Sequence, residues 1–255
     1  MSVQGLHHIT LITADAQRNV DFYVKVLGLR LLKITVNFDD PSAYHLYYGD
    51  RTGTPGSAVT FFEWQRMPRG RPGIGGTHHF ALTVDDEDGL LKWKRRLTDL
   101  GISVKGPYER HYFKSIYFDD PDGVHIEIAT RGPGFGTEGA DAIRFQPPEE
   151  LVVANRDEER IEATTWPEPV PDITPDMALM HGMHHISAIA SNIERTNEFF
   201  GNLLGLKLIR MTSNFDDPTS AHWYWGDENG SPGSLLTYFE HDPAQRRYHY
   251  AQMGS

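Results

Sequence analysis

The feature that most constrains this chain is a duplication. Residues 5 to 63 match residues 182 to 240 without a gap, and about half of the positions are identical, so the chain must be read as a repeat before anything else. "GLHHITLIT" from Gly5 returns as "GMHHISAIA" from Gly182. "NFDDP" occurs at 37 to 41 and again at 214 to 218, and both copies share "LGL", "PGS" and a closing "FE". A third, diverged passage opens with the same His pair, "THHFALTV" from Thr77.

Each copy reads as strand, helix, strands. In the first, His7 to Thr13 forms a short strand, Asp15 caps a helix with Val20, Tyr23 and Leu27 on one face, and Gly28 ends it. "YHLYYGD" and "SAVTFFEW" follow as strands around the turn "TGTPG". The copy from Gly182 has a capping-box pattern at Ser191 to Glu194, an apolar set of Phe199, Phe200, Leu203 and Leu204, and a stop at Gly205. In the middle passage Asp85 or Asp86 caps a helix carrying Leu90, Trp93, Leu97 and Leu100. A hairpin, "YFKSIYF" and "VHIEIAT", turns at "DDPDG". The expected fold class is therefore α+β, built of repeated βαβββ modules: module 1 over 1–64, module 2 over 76–130 and module 3 over 182–242. Between the last two lies an acidic, proline-rich linker, 131–181, with one helix expected in "PPEELVVANRDEERIEATTWP" and an extended "PEPVPDITP".

Composition narrows the partners. A chain of 255 residues, 39% hydrophobic, buries one large core or two modest ones. A net charge of −11 with scattered Lys and Arg gives no basic stripe for nucleic acid. Cysteine is absent, so thiolate metal sites are excluded and a reducing, cytoplasmic setting is expected. No run approaches the roughly 18 apolar residues of a membrane span.

The histidines then acquire meaning from strand parity. Alternation puts His8 with Thr10 on one face, His79 with Ala81 and Thr83, and Glu127 with His125 and Ala129. A carboxylate in mid-strand on an apolar sheet needs a partner. Two imidazoles and one carboxylate on sheet walls are the ligand set of a non-haem iron facial triad. Spacing alone also allows His8 and His79 to be hydrogen-bonded core histidines and Glu127 an exposed strand residue.

"LHHITLIT", "FYVKVLGLRLL", "THHFALTV" and "DPDGVHIEIA" resemble the vicinal oxygen chelate superfamily of glyoxalases, fosfomycin and bleomycin resistance proteins and extradiol dioxygenases. "RHYFKSIYF" and "EIATRGPGF" are similar to its branch of dioxygenases that cleave hydroquinone and catechol rings. The resemblance implies modules paired edge to edge into a cupped mixed sheet, with metal ligands His8, His79 and Glu127. It implies substrate contacts from His7, Thr10 and Arg110, and proton transfer by His78 and Tyr117, leaving His45, His111 and His125 structural. It further implies Fe(II), or Mn(II) on the same ligands, with a small aromatic diol and O2 as substrates.

In that branch four modules occur, and the first and last share the metal. Here module 2 carries the wording of the last and module 3 copies the first. Module 3 is accordingly expected to lack a partner module and His185 to be an orphan ligand, covered in a homodimer or packed on module 2 or the linker helix. Two rivals remain open. A glyoxalase-type lyase or isomerase would need a fourth ligand, whose slot the "SAVTFF" alignment gives to Phe61, with Glu63 two residues on. A metal-free module binding a small aromatic needs none.

Overall fold

The computed structural model describes residues 5–132, 135, 149–179, 181–245 and 249–252. Much of the proline-rich linker, 136–148, lies outside them. Module 1 comprises β1 (His8–Thr13), α1 (Ala16–Val20) running on into a π-helical turn (Asp21–Val26), β2 (Arg30–Val36), β3 (Tyr44–Gly49) and β4 (Ala58–Glu63). Asp15 caps α1 by accepting the Arg18 N–H, and Glu63 reaches back from β4 to accept the N–H of Ala16. Gly28, at φ 71°, turns the chain out of the helix.

Module 2 comprises β5 (Thr77–Val84), α2 (Glu87–Asp99), β6 (Lys105–Glu109), β7 (Lys114–Asp119) and β8 (His125–Thr130), with Asp86 as the cap of α2. Among the described residues of the linker, the one helix expected before "PEPVPDITP" is two short ones, α3 (Glu149–Ala154) and α4 (Glu158–Ala163). The break falls at Asn155, whose amide both accepts the Glu109 N–H and donates to the Glu109 carbonyl, tying the chain to β6; Asp157 then caps α4 afresh. Module 3 comprises β9 (Met183–Ala190), α5 (Ile193–Asn197) with a second π-helical turn (Glu198–Leu203), β10 (Lys207–Ser213), β11 (Ala221–Gly226) and β12 (Leu235–Glu240). Its helix cap is Asn192, not Ser191. Asn192 is the repeat counterpart of Asp15, and Glu240 reaches the Ile193 N–H as Glu63 reaches Ala16.

Module 1 forms a four-stranded sheet in the order β1-β4-β3-β2. Modules 2 and 3 together form one eight-stranded sheet, β10-β11-β12-β9-β5-β8-β7-β6, in which the two first strands, β5 and β9, run antiparallel. Module 3 thus has its partner within the chain, and module 2 completes its cup with module 3 instead of module 1. The reason is visible in the core. Phe22, Tyr23 and Leu27 of the module 1 helix and Val59 and Phe61 of its sheet join Phe80, Leu82, Ile116, Phe118 and Ile126 of module 2 in a single buried cluster. These two modules bury their apolar, helix-bearing sides against one another, which points the edge of β5 elsewhere. Polar contacts lock the arrangement: Tyr23 Oη donates to Asp120, Thr13 Oγ1 to Asp122, and Arg18 pairs with Asp122.

Modules 1 and 3 meet reciprocally. The Leu6 N–H donates to the Gly233 carbonyl and the Met183 N–H to the Gly56 carbonyl, both at about 2.9 Å or less. Leu6 and Met183 are repeat counterparts, as are Gly56 and Gly233, so the two copies face each other about an approximate two-fold axis. Among the described residues no helix is long and apolar enough to cross a membrane.

Candidate active site

The cup between modules 2 and 3 brings together His79 of β5, Glu127 of β8 and His185 of β9, all buried. Register places them. Ala81 lies opposite Glu127 on one side and opposite His185 on the other, so three neighbouring strands aim two large polar side chains over one methyl group. The His79 and His185 Nε2 atoms are 3.0 Å apart, and each lies near Glu127 Oε2, at 2.9 and 3.2 Å.

The doubled histidines have a structural meaning. His79 Nδ1 shares a hydrogen bond of 2.7 Å with His78 Nδ1, and His185 Nδ1 one of 2.9 Å with His184 Nδ1. Where the inner ring donates from Nδ1 its Nε2 carries the lone pair, and the preceding ring is placed to accept that bond. Burial pushes His79 down to about 4 and His78 and His184 down to about 3, so all three rings are neutral at physiological pH. Glu127 is fully buried, a cost that the adjacent His185 and His79 outweigh, holding it ionised well below the usual carboxylate range.

A divalent cation fits this group. Neither oxygen of the buried Glu127 receives a well-directed hydrogen bond, and two imidazole nitrogens and a carboxylate oxygen lie within 4.8 Å of one another. An isolated carboxylate in such a place is costly, and hard-to-borderline N and O donors in this number are what Fe(II) or Mn(II) takes.

The centre opens into a cavity of about 370 Å³. Module 2 contributes His78, Tyr108, Arg110, Phe113, Tyr117 and His125, and module 3 contributes Phe215, Asp216, His222, Tyr224 and Phe239. Arg110 donates to Tyr117 Oη at 3.2 Å, lies over the rings of Tyr108, Tyr117 and Phe215, and has the Asp216 carboxylate 4.0 Å away. Burial pushes the Tyr117 phenol well up, so it stays protonated. His125, expected to be structural, stacks on Tyr117 and faces the cavity. His222 joins Tyr224 Oη through Nδ1 and Thr237 Oγ1 through Nε2, at 3.0 and 2.9 Å, and Thr237 continues to Ser187 at 2.6 Å. Burial drives His222 well below its ordinary value, leaving it neutral.

Of the residues expected at a site, His78, His79, Arg110, Tyr117 and Glu127 lie together here, whereas His7, His8 and Thr10 do not. His7 stands just before β1 and His8 and Thr10 on it, in the other sheet, where His8 is exposed and its Nδ1 pairs with His7 Nδ1 at 2.9 Å, and Thr10 accepts from Thr60. His185 occupies the place expected for His8, so it is no orphan. Register also corrects the fourth slot. Thr10 faces Thr60 and Ser187 faces Thr237, as Ala81 faces Glu127; the slot therefore holds Thr60 or Thr237, and Phe61 points into the core on the opposite face. His45 pairs with Thr60 and Tyr47 outside the cavity, and His111 sits at φ 70° in the β6–β7 turn. The module 3 wall, His222 and Tyr224 included, was missed. Its signal was the "H-x-Y" shared by both copies, at His45 and His222.

The model of the Glyoxalase/Bleomycin resistance protein/Dioxygenase superfamily matches residues 5–128. A Bacillus subtilis (strain 168) protein named as a ring-cleaving dioxygenase, MhqO, is 34% identical over 83% of this chain and 57% of its own length. Chlorohydroquinone/hydroquinone 1,2-dioxygenase of Sphingobium indicum is 31% identical over 80% of this chain and 56% of its own. The chain thus spans somewhat over half the length of these relatives. Metallothiol transferase FosB of Bacillus licheniformis is 30% identical, with 76% of its length covered. A solved structure from Bacillus subtilis subsp. subtilis str. 168, named as a dioxygenase, superposes on the whole chain with a TM-score of 0.73 at 29% identity, covering 67% of that chain.

Proposed function

Since this chain belongs to the Glyoxalase/Bleomycin resistance protein/Dioxygenase superfamily, we propose that its cavity serves a metal-dependent, extradiol-type ring-cleaving dioxygenase acting on hydroquinone- or catechol-type aromatics. The carrying observation is the buried triangle of His79, His185 and Glu127 with one side open to an aromatic-lined cavity. Bound Fe(II), with Mn(II) as the alternative, supplies the redox centre at which a diol ring and O2 can react.

The chain's own residues do the rest. Phe215, Phe239, Tyr108 and Tyr117 line the cavity with aromatic surface suited to a planar ring, and Arg110 offers a permanent positive charge to a phenolate oxygen. Neutral His222, tied to Tyr224 and Thr237 through both ring nitrogens, orders the cavity wall beside the ring, and Tyr117, kept protonated, can donate a proton. His78 and His184 hold the ligand rings in one tautomer. Buried side chains such as His79, His185, His222 and Phe239 in the cavity lining limit bulk water around the ring.

Thr237 favours this over the lyase reading. A hydroxyl already engaged by Ser187 and His222 stands where a fourth carboxylate ligand would be needed, which leaves positions free for substrate and O2. The test is metal analysis of anaerobically purified protein followed by an oxygen electrode. Stoichiometric iron or manganese and one O2 consumed per hydroquinone or catechol opened are expected. Conversion that proceeds undiminished without oxygen would count against the proposal.

A further inference from the structure

One wall of the cavity backs onto a chain of hydrogen bonds. Tyr224 of β11 stands opposite Thr237 of β12, and Thr237 opposite Ser187 of β9, while His222 shares the face of β11 that Tyr224 occupies. Tyr224 Oη meets His222 Nδ1 at 3.0 Å, His222 Nε2 meets Thr237 Oγ1 at 2.9 Å, and Thr237 Oγ1 meets Ser187 Oγ at 2.6 Å. The imidazole stacks on Phe239 with ring centroids 3.9 Å apart, which fixes its plane.

Counting protons gives this chain a direction. The hydroxyls of Ser187, Thr237 and Tyr224 and the one N–H of a neutral imidazole supply four protons, and the three links use three of them. The fourth belongs to Ser187, Thr237 or Tyr224. Ser187 and Thr237 are fully buried, neither lines the cavity, and their hydroxyls meet no further acceptor among the described residues. A spare proton on either would be sealed inside the sheet with its desolvation uncompensated. Tyr224, in contrast, lines the cavity. The arrangement that strands no proton therefore runs one way: Ser187 donates to Thr237, Thr237 to His222 Nε2, and His222 Nδ1–H to Tyr224 Oη, which turns its own proton toward the cavity. Burial raises the Tyr224 phenol well above its ordinary value, so that proton is retained.

We propose that Tyr224 binds substrate, donating a hydrogen bond to the aromatic oxygen that lies away from Glu127, and that His222, Thr237 and Ser187 are positioning residues that aim it. This role rests on reading the cavity as the site of an aromatic diol. Sheet order supports the placement: β12, β9 and β5 separate β11 from β8, so Tyr224 approaches the ring from the wall far from Glu127. The opposite wall has the same polarity. Tyr117 Oη accepts from Arg110 and Ser115, at 3.2 and 3.3 Å, so its proton too is turned away from its protein partners. Arg110, Tyr117 and Tyr224 thus present donors to the ring from both modules, which suits oxygens that accept, a phenolate above all.

Binding is measured without turnover, by calorimetric titration of the metal-loaded protein under argon. The ligands are whichever of hydroquinone and catechol the wild type binds more tightly, and phenol, the same ring with one oxygen fewer. Tyr224→Phe, which keeps the ring and removes the donor, should weaken the diol about five- to tenfold and phenol less than about twofold. Undiminished diol binding would overturn the proposal, as would equal losses for diol and phenol, which would make Tyr224 a packing residue. If the wild type binds neither diol, the reading of the cavity fails and this role with it. The direction of the chain is read separately by NMR of wild-type protein carrying isotopically labelled histidine, with His222→Gln identifying one signal among the 13 histidines. His222 should carry its proton on Nδ1. A proton on Nε2 would overturn the proposal, and this readout stands even if Tyr224→Phe fails to fold.

Discussion

A histidine pair at the start of a cupped strand divides its labour: the second ring turns Nε2 to the centre, and the first holds its Nδ1. That arrangement recurs at His7 and His8, where no carboxylate faces it. His185→Ala should accordingly abolish stoichiometric metal binding, and His8→Ala should leave it unchanged, both read by elemental analysis of anaerobically prepared protein. Glu127→Ala should also lose the metal. A second residue-scale prediction concerns Asp120. Burial, assisted by the charge of Asp122, pushes its carboxyl from 3.8 up to about 6, against the Val124 N–H and the Tyr23 hydroxyl that favour its ionised form. The folded state therefore holds this proton more tightly than the unfolded state. The stability it lends is fully present below pH 3.8 and lost as pH rises through about 6. The amount is about 3 kcal/mol, at 1.36 kcal/mol per pKa unit. Asp120→Asn, which keeps an acceptor for the backbone N–H groups, should flatten the slope of urea stability between pH 4 and 6.

Elements here are stitched together by buried cations at helix ends. Lys94, on α2, donates to the carbonyls of Ile161, Glu162 and Thr164 at the end of α4, at 2.5, 3.3 and 2.8 Å. These are carbonyls that a helix leaves without partners, and a positive charge suits that end of the helix dipole. Lys94→Met should cost about 2–3 kcal/mol in urea denaturation, through lost charge-assisted bonds and carbonyls left unpaired. The helix–linker boundary also shows what local pattern misses. Nothing in "ANRDEERI" demands a break, yet Asn155 is recruited by the backbone of Glu109, distant in sequence, and Asp157 restarts the helix. The helix starts at Asp15, Asp86 and Asn192, in contrast, were legible within one residue or so, because a cap is a contact of residues three apart.

At the scale of the whole molecule, the proposed metal site is built from two modules that meet at β5–β9 and in a shared apolar cluster of Tyr112, Phe113, Ile209 and Tyr224, so metal binding and the pairing of modules 2 and 3 should be linked. A chelator should lower the thermal midpoint, and restoring metal at about 1,000 times its dissociation constant should recover about 4 kcal/mol. Calorimetry with and without chelator checks this; an unchanged midpoint would mean that the buried Glu127 is stabilised by the two histidines alone.

Repeat, strand parity and caps are properties of neighbours along the chain, and the sequence by itself determined them: three βαβββ modules, a ligand-type histidine at the start of each, and a single mid-strand glutamate at Glu127. Which histidine meets that glutamate is not a local property. His8 and His185 share the same local words and the same strand parity. The choice was made by the burial of the apolar sides of modules 1 and 2 against each other, which turned β5 toward β9 and left His8 on an open edge.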